Sequence, residues 1–452
     1  MWMYGGLNYE HDFKKKGHTI QTSFNMWHWG QRSVGDDVWL YLSANQPNKF
    51  RNTLSNYQST SYSLDVDYTI PYIKNGEIDL GVSAGYSPEK NISKIDTLQF
   101  FDTGNVYVND TLRSNNLAYS ESNLDAYVTL QHKFGNFTIK GGLRVSYDVQ
   151  QGKYEGKPQY DASHPYLEWL PSLHLSYRTK SMHNFSLSYV MRVSTPNFSQ
   201  LTTYKDYDEE EFSIGNPNLL PTYTHSFDGG WTKYFNRFGS VGISGYYRIS
   251  TNSISDVSDV IYDDYFGRIV NYSKPFNVST SRRGGAEFRI TYRPKDFMNI
   301  RFYANIYDNY FKTHDILHNV DVKNNSFSYS FRLNFWAKAW KKLEIFANAS
   351  YSSPTISYYS EQRPSYSIDC GLRADFFKRK LSVNLTVNDI FNWNKYEYLS
   401  TNPYYQSYYL YRSSDWGRSI TAGITLRFGK MELESKASTG GATAPQTGGV
   451  PK

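Results

Sequence analysis

The 452-residue chain is rich in aromatics (17%, with Tyr 42, Phe 27 and Trp 10) yet only 39% hydrophobic, and it carries one cysteine and a net charge of +6. No run of about 18 apolar residues occurs, which excludes a transmembrane helix, and a single thiol excludes a disulfide framework. Basic residues spread along the chain instead of forming a stripe, which argues against nucleic acid as a partner.

Gly6 to Phe13 reads as the end of a strand and Lys14-Lys15-Lys16-Gly17 as a short turn. The next strand, His18 to Trp29, carries Ile20, Thr22, Phe24 and Met26 on one face. A long polar and aromatic connection, Gly30 to Tyr57, precedes a third strand in which Tyr62, Leu64, Val66, Tyr68 and Ile70 alternate with polar residues. Lys74-Asn75-Gly76 is a hairpin turn; the strand Ile78 to Tyr86 leaves it and runs into a second long connection, Ser87 to Ser122.

From there the rhythm repeats. Short turns lie at Gly135-Asn136, Thr179 to His183, Asn236 to Gly239, Pro294 to Phe297, Lys338 to Lys342 and Lys378 to Lys380. Long loops lie around Gln150 to Leu167, Asn197 to Thr222, Ser250 to Phe276, Lys312 to Asn325, Ser352 to Ser365 and Trp393 to Tyr411. Leu124, Ala126, Val128 and Leu130 oppose Asp125, Tyr127, Thr129 and Gln131, and the last strand sets Ile420, Ala422, Ile424, Leu426 and Phe428 against Thr421, Gly423, Thr425 and Arg427. Charges recur at mid-strand on the polar face, among them Arg144, Arg192, Glu287, Arg289, Arg301, Arg332, Asp369, Arg373 and Arg427. Such a face suits a wet or plugged lumen. Aromatics such as Tyr86, Phe134, Tyr147, Tyr177, Tyr292 and Phe428 end the apolar faces, as in the girdles where lipid meets water.

This pattern predicts an all-β protein: a transmembrane antiparallel up-and-down β-barrel spanning residues 1–428, with about seventeen strands. Short turns on one side and long loops on the other place the loops outside the cell and the turns in the periplasm. A mean hydropathy of −0.63 does not contradict this, because half of each barrel strand and all of its loops are polar. The stretch 429–452 has no periodicity and is expected to be a disordered periplasmic tail. Cys370, between Ile368 and Leu372 in an alternating strand, reads as a small apolar filler.

Four stretches resemble a known family, the TonB-dependent outer-membrane receptors and the similar outer membrane beta-barrel family. Leu170-Pro171-Ser172-Leu173, followed by Tyr189-Val190-Met191-Arg192-Val193-Ser194-Thr195-Pro196, resembles its mid-barrel signature. Gly215-Asn216-Pro217-Asn218-Leu219-Leu220-Pro221 with Tyr223 and His225 is similar to its GNPNL segment, a Pro- and Asn-stiffened loop end. Val387-Asn388-Asp389-Ile390-Phe391-Asn392 looks like the exit of its penultimate strand. Thr421 to Phe428 resembles the signal read by the barrel-assembly machinery, with Thr421, Gly423, Leu426 and Phe428 as its key positions. The resemblance covers Gly6 to Phe428 and implies a receptor-transporter barrel that takes up a scarce nutrient (siderophore, glycan or peptide) in the outer membrane of a Gram-negative cell. It implies outer-membrane lipid, a plug domain and a TonB-type energiser as partners. Barrels of this kind have about twenty-two strands around the plug, so a plugless chain with about seventeen is expected to be an amino-terminally truncated portion. The rival reading is a passive porin-like channel or structural surface-binding barrel.

No Walker loop, dinucleotide fingerprint, HExxH or GxSxG is present, so the chain is not expected to be an enzyme, and no cofactor or metal is implied. The acidic loop Asp206-Tyr207-Asp208-Glu209-Glu210-Glu211 could hold a cation or cationic ligand, although a solvated loop is the plainer reading; Asp256, Asp259, Asp263 and Asp264 invite the same two readings. Exposed rings offer stacking surfaces for sugars, peptides or planar chelates: Trp27, Trp29 and Trp39 in one region, Tyr404, Tyr405 and Tyr408 in another. With Asp206, Asp208 and Glu209 they form the candidate ligand-binding set.

Overall fold

The structure is a computed structural model, and it describes residues 1–39, 49–101, 104–208, 211–315, 320–340, 342–356, 360–377, 380–393, 395–402, 405–411 and 417–428. The expected tail 429–452 lies outside these. The strands in chain order are β1 (Trp2–Asp12), β2 (Thr19–Trp39), β3 (Lys49–Ile73), β4 (Gly76–Phe101), β5 (Asn115–Phe134), β6 (Phe137–Tyr154), β7 (Ala162–Arg178), β8 (His183–Ser194) and β9 (Thr222–Tyr234). They continue with β10 (Gly239–Asp263), β11 (Arg268–Tyr292), β12 (Met298–Asp315), β13 (Val320–Lys338), β14 (Leu343–Ser352), β15 (Ser365–Phe376), β16 (Leu381–Asn388) and β17 (Ser419–Leu426). These seventeen and three short loop strands, Gly104–Asn109, Lys205–Tyr207 and Glu211–Ile214, make one sheet of 20.

Each of the seventeen pairs antiparallel with the next, from Trp2↔Trp29 at one end to Leu381↔Leu426 at the other. The chain is therefore a transmembrane up-and-down β-barrel wall, with the strand number read from the sequence. Among the described residues no ladder joins β1 to β17. Both run toward the short-turn rim.

Register fixes the two faces. Val82↔Ala126 and Leu80↔Val128 put apolar residues side by side, while Ser83↔Asp125 and Gly81↔Tyr127 do the same for the polar face. The apolar face is bare: Leu124 and Leu130 are each 50% exposed and Trp169 is 58% exposed. In water such a belt would be unfavourable by about 25 cal/mol per Å² of apolar surface; against hydrocarbon it is the stable arrangement. Tyr86, Phe134, Tyr147, Tyr177 and Tyr292 are likewise exposed on this face, at the girdle positions.

On the inner face polar groups satisfy one another, as a low-dielectric surround requires. Ser83 donates to Asp65 at 2.6 Å, Thr69 to Asp79 at 3.0 Å and Tyr303 to Glu287 at 3.0 Å. Inward rings lie over glycines of the neighbouring strand: a Cβ on Gly81 would stand 2.1 Å from Tyr127, and one on Gly371 2.0 Å from Phe346.

The strands are much longer than a membrane needs. β10 and β11 are 25 residues each, roughly 80 Å at about 3.3 Å per residue, whereas about 9–11 residues span the bilayer. Among the described residues, the segments read as long connections at Gly30–Tyr57, Ser87–Ser122, Gln150–Leu167, Ser250–Phe276 and Lys312–Asn325 are thus mostly strand, continuing past the apolar band as hairpin extensions. Above the band both faces meet water, so the ladder persists and the hydrophobic alternation does not. The stretch 195–221 remains a true excursion from the wall.

Candidate functional site

That excursion folds back onto the inner face. Asn197 opens it as a helix cap: its Oδ1 accepts the Gln200 amide at 2.9 Å, and Gln200 Oε1 accepts the Asn197 amide at 3.1 Å. The reciprocal pair satisfies two otherwise orphaned donors of the single turn Phe198–Leu201. Phe198 and Leu201, both buried, then point at the wall. Phe198 lies over Gly152, where a Cβ would be 1.9 Å from its ring.

Tyr204 stacks on Tyr154 with ring centroids 4.7 Å apart and meets Tyr160 edge-on at 5.3 Å. Its hydroxyl donates to the Leu112 carbonyl at 2.7 Å, and burial pushes its phenol up to about 12. Lys157 donates to the carbonyls of Thr111 and Ser114 at 2.7 and 2.9 Å and stands 4.9 Å from the Tyr204 ring. Burial holds its ammonium below the usual lysine range.

The second half of the excursion crosses to β11. Residues 211–213 pair in parallel with 271–273, and the Asn216 side chain donates to the Pro275 carbonyl at 3.1 Å. Asn277 accepts the Leu220 amide at 2.7 Å and donates back to the Leu220 carbonyl at 2.8 Å. The β10–β11 hairpin tip reaches in turn to the segment between β4 and β5, where Tyr265 donates to Asp110 and Arg113 stands 5.3 Å from the Tyr265 ring. Six strands, β5 to β10, lie between these two connections, roughly 29 Å along the sheet at about 4.8 Å per strand. Only a curled wall brings them together. The result is a strap, residues 195–208 and 211–221, laid across the inner side of the long-loop rim.

One ion pair fastens it. Lys205 Nζ donates to Asp263 Oδ2 at 2.8 Å, and the Asp263 side chain is 3% exposed. Burial pushes the Asp263 carboxyl up, but the Lys205 ammonium and the amides of Tyr265 and Phe266 together outweigh it and hold the group below its ordinary value. Burial likewise opposes the Lys205 charge, and Asp263 and Tyr207 more than offset it, so Lys205 is raised. Lys205→Met is expected to weaken the strap's seating by about 1–3 kcal/mol, because it leaves a buried carboxylate short of a donor. The Asp263 share is complete above about pH 3.9 and is lost as pH falls through its lower folded value; the Lys205 share is complete below about pH 10.4 and is lost in alkali. Strap proteolysis should therefore accelerate at both extremes in the parent protein. In the variant it should be fast throughout, and identical cleavage profiles would contradict the assignment.

Below the strap the balance of charge changes around the wall. Asp65, Asp67, Glu77, Asp79 and Asp125 face inward from β3 to β5, whereas from β11 to β17 Arg283, Arg289, Arg301, Arg332, Arg373 and Arg427 face inward and outnumber Glu287, Glu344, Asp369 and Asp375, of which Glu287 pairs with Arg289 and Asp375 with Arg373. Between the sectors a cavity of about 780 Å³ is lined by Asp125, Tyr127, Arg144, Asp148, His174 and Arg192, among others. Cys370 sits with Ile368 and Leu372 on the outward side, opposite Ala347.

The candidate ligand-binding residues stand on three separate elements. Trp27 and Trp29 belong to β2 and face inward: Trp27 is paired with Tyr4, and Trp29 lies 5.1 Å from the Tyr57 ring. Trp39 closes β2, its side chain outside the described residues. Asp206 is on the strap opposite Ser213, and burial followed by the Asp208 charge raises its carboxyl. Asp208 accepts from Arg113 through its carbonyl. Glu209 and Tyr404 lie outside the described residues, as does the Tyr405 side chain. Tyr408 is exposed on a small separate sheet formed by 355–356, 360–362, 396–402 and 405–411. Among the described residues no group of three or more His, Cys, Asp or Glu is placed to hold a metal ion. The residues that the sequence reading missed are Tyr154, Phe198, Tyr204, Lys157 and the Lys205–Asp263 pair; the spacing Asn197-x-x-Gln200 was the available signal for the helical turn.

The profile of the outer membrane protein beta-barrel family matches residues 11–425. No curated protein matches at significant similarity. Among solved structures the fold is similar to the ferric-catecholate import receptor of E. coli K12, with a TM-score of 0.63 and 12% identity, covering 94% of this chain and 64% of that one. It is similar to the ferripyoverdine receptor of Pseudomonas aeruginosa (0.62, 13%, 94% and 55%) and to the ferric yersiniabactin uptake receptor of Yersinia pestis (0.58, 13%, 91% and 61%). The chain spans less than two thirds of each.

Proposed function

We propose that this chain, which belongs to the outer membrane protein beta-barrel family, is the barrel wall of a TonB-dependent receptor taking a scarce nutrient across the bacterial outer membrane. The observation that carries the proposal is a polar, charge-sectored inner wall crossed at one rim by a packed strap, on a fold similar to barrels named as uptake receptors. A greasy interior would admit no hydrated solute. In this reading the long-loop rim is extracellular, the short turns and the tail 429–452 are periplasmic, and the barrel-assembly machinery inserts the wall. A plug domain occupies the lumen and a TonB-type energiser moves it. The reading is a receptor and not an enzyme.

Ligand capture falls to inward rings at the strap rim, Trp27 and Trp29 beside Tyr4 and Tyr57, because flat amphipathic surfaces bind chelates, sugars and peptides at low entropy cost. Trp39, Asp206, Asp208, Glu209, Tyr404, Tyr405 and Tyr408 are the further contacts proposed. The test is accumulation of ferric siderophores, oligosaccharides and peptides by cells carrying the intact gene, with and without the energiser. Energy-dependent uptake of one class, reduced about tenfold in Trp27→Ala/Trp29→Ala, is expected. Equal uptake with and without the energiser would favour a passive channel instead.

A further inference from the structure

The outer face of β10 to β13 carries a feature that solute passage does not use. The β11–β12 ladder runs unshifted from Tyr292↔Ile300 to Arg282↔Tyr310, and the β12–β13 ladder from Met298↔Ala337 to Lys312↔Lys323. Phe288, Ile290, Ile300 and Phe302 therefore share their face with Arg282, Asp308, Lys312 and Lys323. The lipid-facing side turns from apolar to cationic within one strand length.

The height of that change can be placed. Arg282 is ten residues from Tyr292 and Asp308 ten from Met298, both counted from the short-turn rim. Ten residues are about 33 Å of strand, which at a tilt of about 45° rise about 23 Å, close to the apolar band of about 25 Å in such barrels. The cations begin where hydrocarbon ends and headgroups start.

Two of them line a groove of about 570 Å³ formed by Tyr247, Thr280, Arg282, Gly284, Asp308, Tyr310 and Lys312, and Lys323 faces Lys312 at its edge. Gly284 keeps its floor open: a Cβ there would lie 3.2 Å from the Tyr247 ring. Lys312 and Lys323 stand directly opposite one another across the ladder, an unfavourable like-charge pair that the exposed Asp321 offsets only from the side away from the groove. Asp308 lies between Arg282 and Lys312, and Asp321, paired with His314, is the next outward carboxylate beside Lys312 and Lys323; three cations against two carboxylates leave the groove cationic.

We propose that this groove binds the phosphorylated headgroup of a membrane lipid at the long-loop rim. Arg282, Lys312 and Lys323 contact the phosphate, and Tyr247 and Tyr310 flank the start of the acyl region. Arginine and lysine supply the donors that phosphate oxygens accept, and their stems can lie along the apolar surface below. The assignment to the outer leaflet rests on the orientation proposed above; the phosphate chemistry does not.

The test is native mass spectrometry of the detergent-extracted protein with a bisphosphorylated lipid A and its dephosphorylated counterpart. The parent should retain the phosphorylated lipid preferentially. R282Q/K312Q/K323Q should lower retention by about tenfold or more, and Asp308→Asn should raise it, a gain that misfolding cannot imitate. Equal retention of both lipids, or parent-level retention by the triple variant, would overturn the proposal. Displacement by millimolar inorganic phosphate would assign a free-anion site instead and overturn the lipid. Labelling of Asp264→Cys in a Cys370→Ala background by an impermeant maleimide on intact cells reads the orientation separately, so a failure of sidedness is not mistaken for a failure of binding.

Discussion

Gly215→Ala is expected to unseat the strap while leaving the seventeen-strand ladder intact. A Cβ at this position would stand 2.4 Å from the Thr202 carbonyl oxygen and 2.6 Å from that of Gln200, both backbone atoms. Neither can swing aside as a side chain could. The next residue is tied just as closely, with the Asn216 amide donating to the Gln200 carbonyl at 2.6 Å. Relief therefore requires the turn Phe198–Leu201 to leave the wall. Overpacking costs about 1–3 kcal/mol where neighbours can adjust, which at 1.4 kcal/mol per decade raises the unseated population on the order of ten- to a hundredfold. Hydrogen exchange at Asn216, Leu219 and Leu220 should accelerate accordingly. Gly152→Ala attacks the same contact from the wall side through the Phe198 ring. Gly141→Ala, whose Cβ would meet only Leu173 at 4.0 Å, is the silent control. Unchanged protection in both variants would mean that the strap is not held as described.

The contrast between wall and strap explains what could be read from the residues alone. Where one face of a strand meets lipid and the other a wet interior, the chemistry must alternate with period two, so Leu124 to Leu130 and Met298 to Ile306 announce their own register. Above the lipid band that constraint ends. Gly30–Tyr57 and Ser250–Phe276 pair through backbone groups, which every residue but proline supplies, and their side chains carry no periodic mark. Trp27 and Trp29, at the end of the strand read from His18 to Trp29, were grouped with Trp39 beyond it as exposed rings, whereas they are wall residues facing inward.

The strap core was hidden for a different reason. Tyr119, whose ring lies 5.4 Å from that of Phe198, and Tyr154 come from adjacent wall strands, whereas Phe198 and Tyr204 come from the strap further along the chain, and they meet only once it folds back. No local window contains the pattern. The family resemblance in Gly215 to Pro221 marked the place without its purpose, which the structure supplies: Gly215 makes room for two carbonyls, and Asn216 and Leu220 dock on β11. The charge division of the inner wall was also present in the residues, as Asp65, Asp67 and Asp79 early and Arg289, Arg301 and Arg332 late. Its meaning as two sectors required the strand order.

The terminal strand carries the second large expected effect. Phe428→Ala and Gly423→Glu are each expected to reduce the yield of assembled barrel several-fold with little effect on ligand capture in the fraction that assembles. β17 pairs with β16 from Ser419 to Leu426, and the Arg427 amide continues the ladder to the Lys380 carbonyl at 2.8 Å. Phe428 follows it and is 86% exposed, an aromatic ring offered at the short-turn rim where the interfacial girdle lies. Its removal costs burial of about 1.5–3 kcal/mol in the inserted state and deletes the closing residue of the proposed assembly signal. Gly423 faces inward, and a Cβ there would stand 2.5 Å from Asn384 Oδ1. Glutamate would displace Asn384 and bring a carboxylate into the seam through which β17 is added. Thr421 and Leu426 complete the signal, and Leu426→Ala should fall between the parent and Phe428→Ala. Heat-modifiable gel mobility of outer-membrane fractions measures the outcome. Normal yields of both principal variants would remove β17 from an assembly role, because the changes lie at opposite faces of one strand and share only that strand's incorporation into the wall.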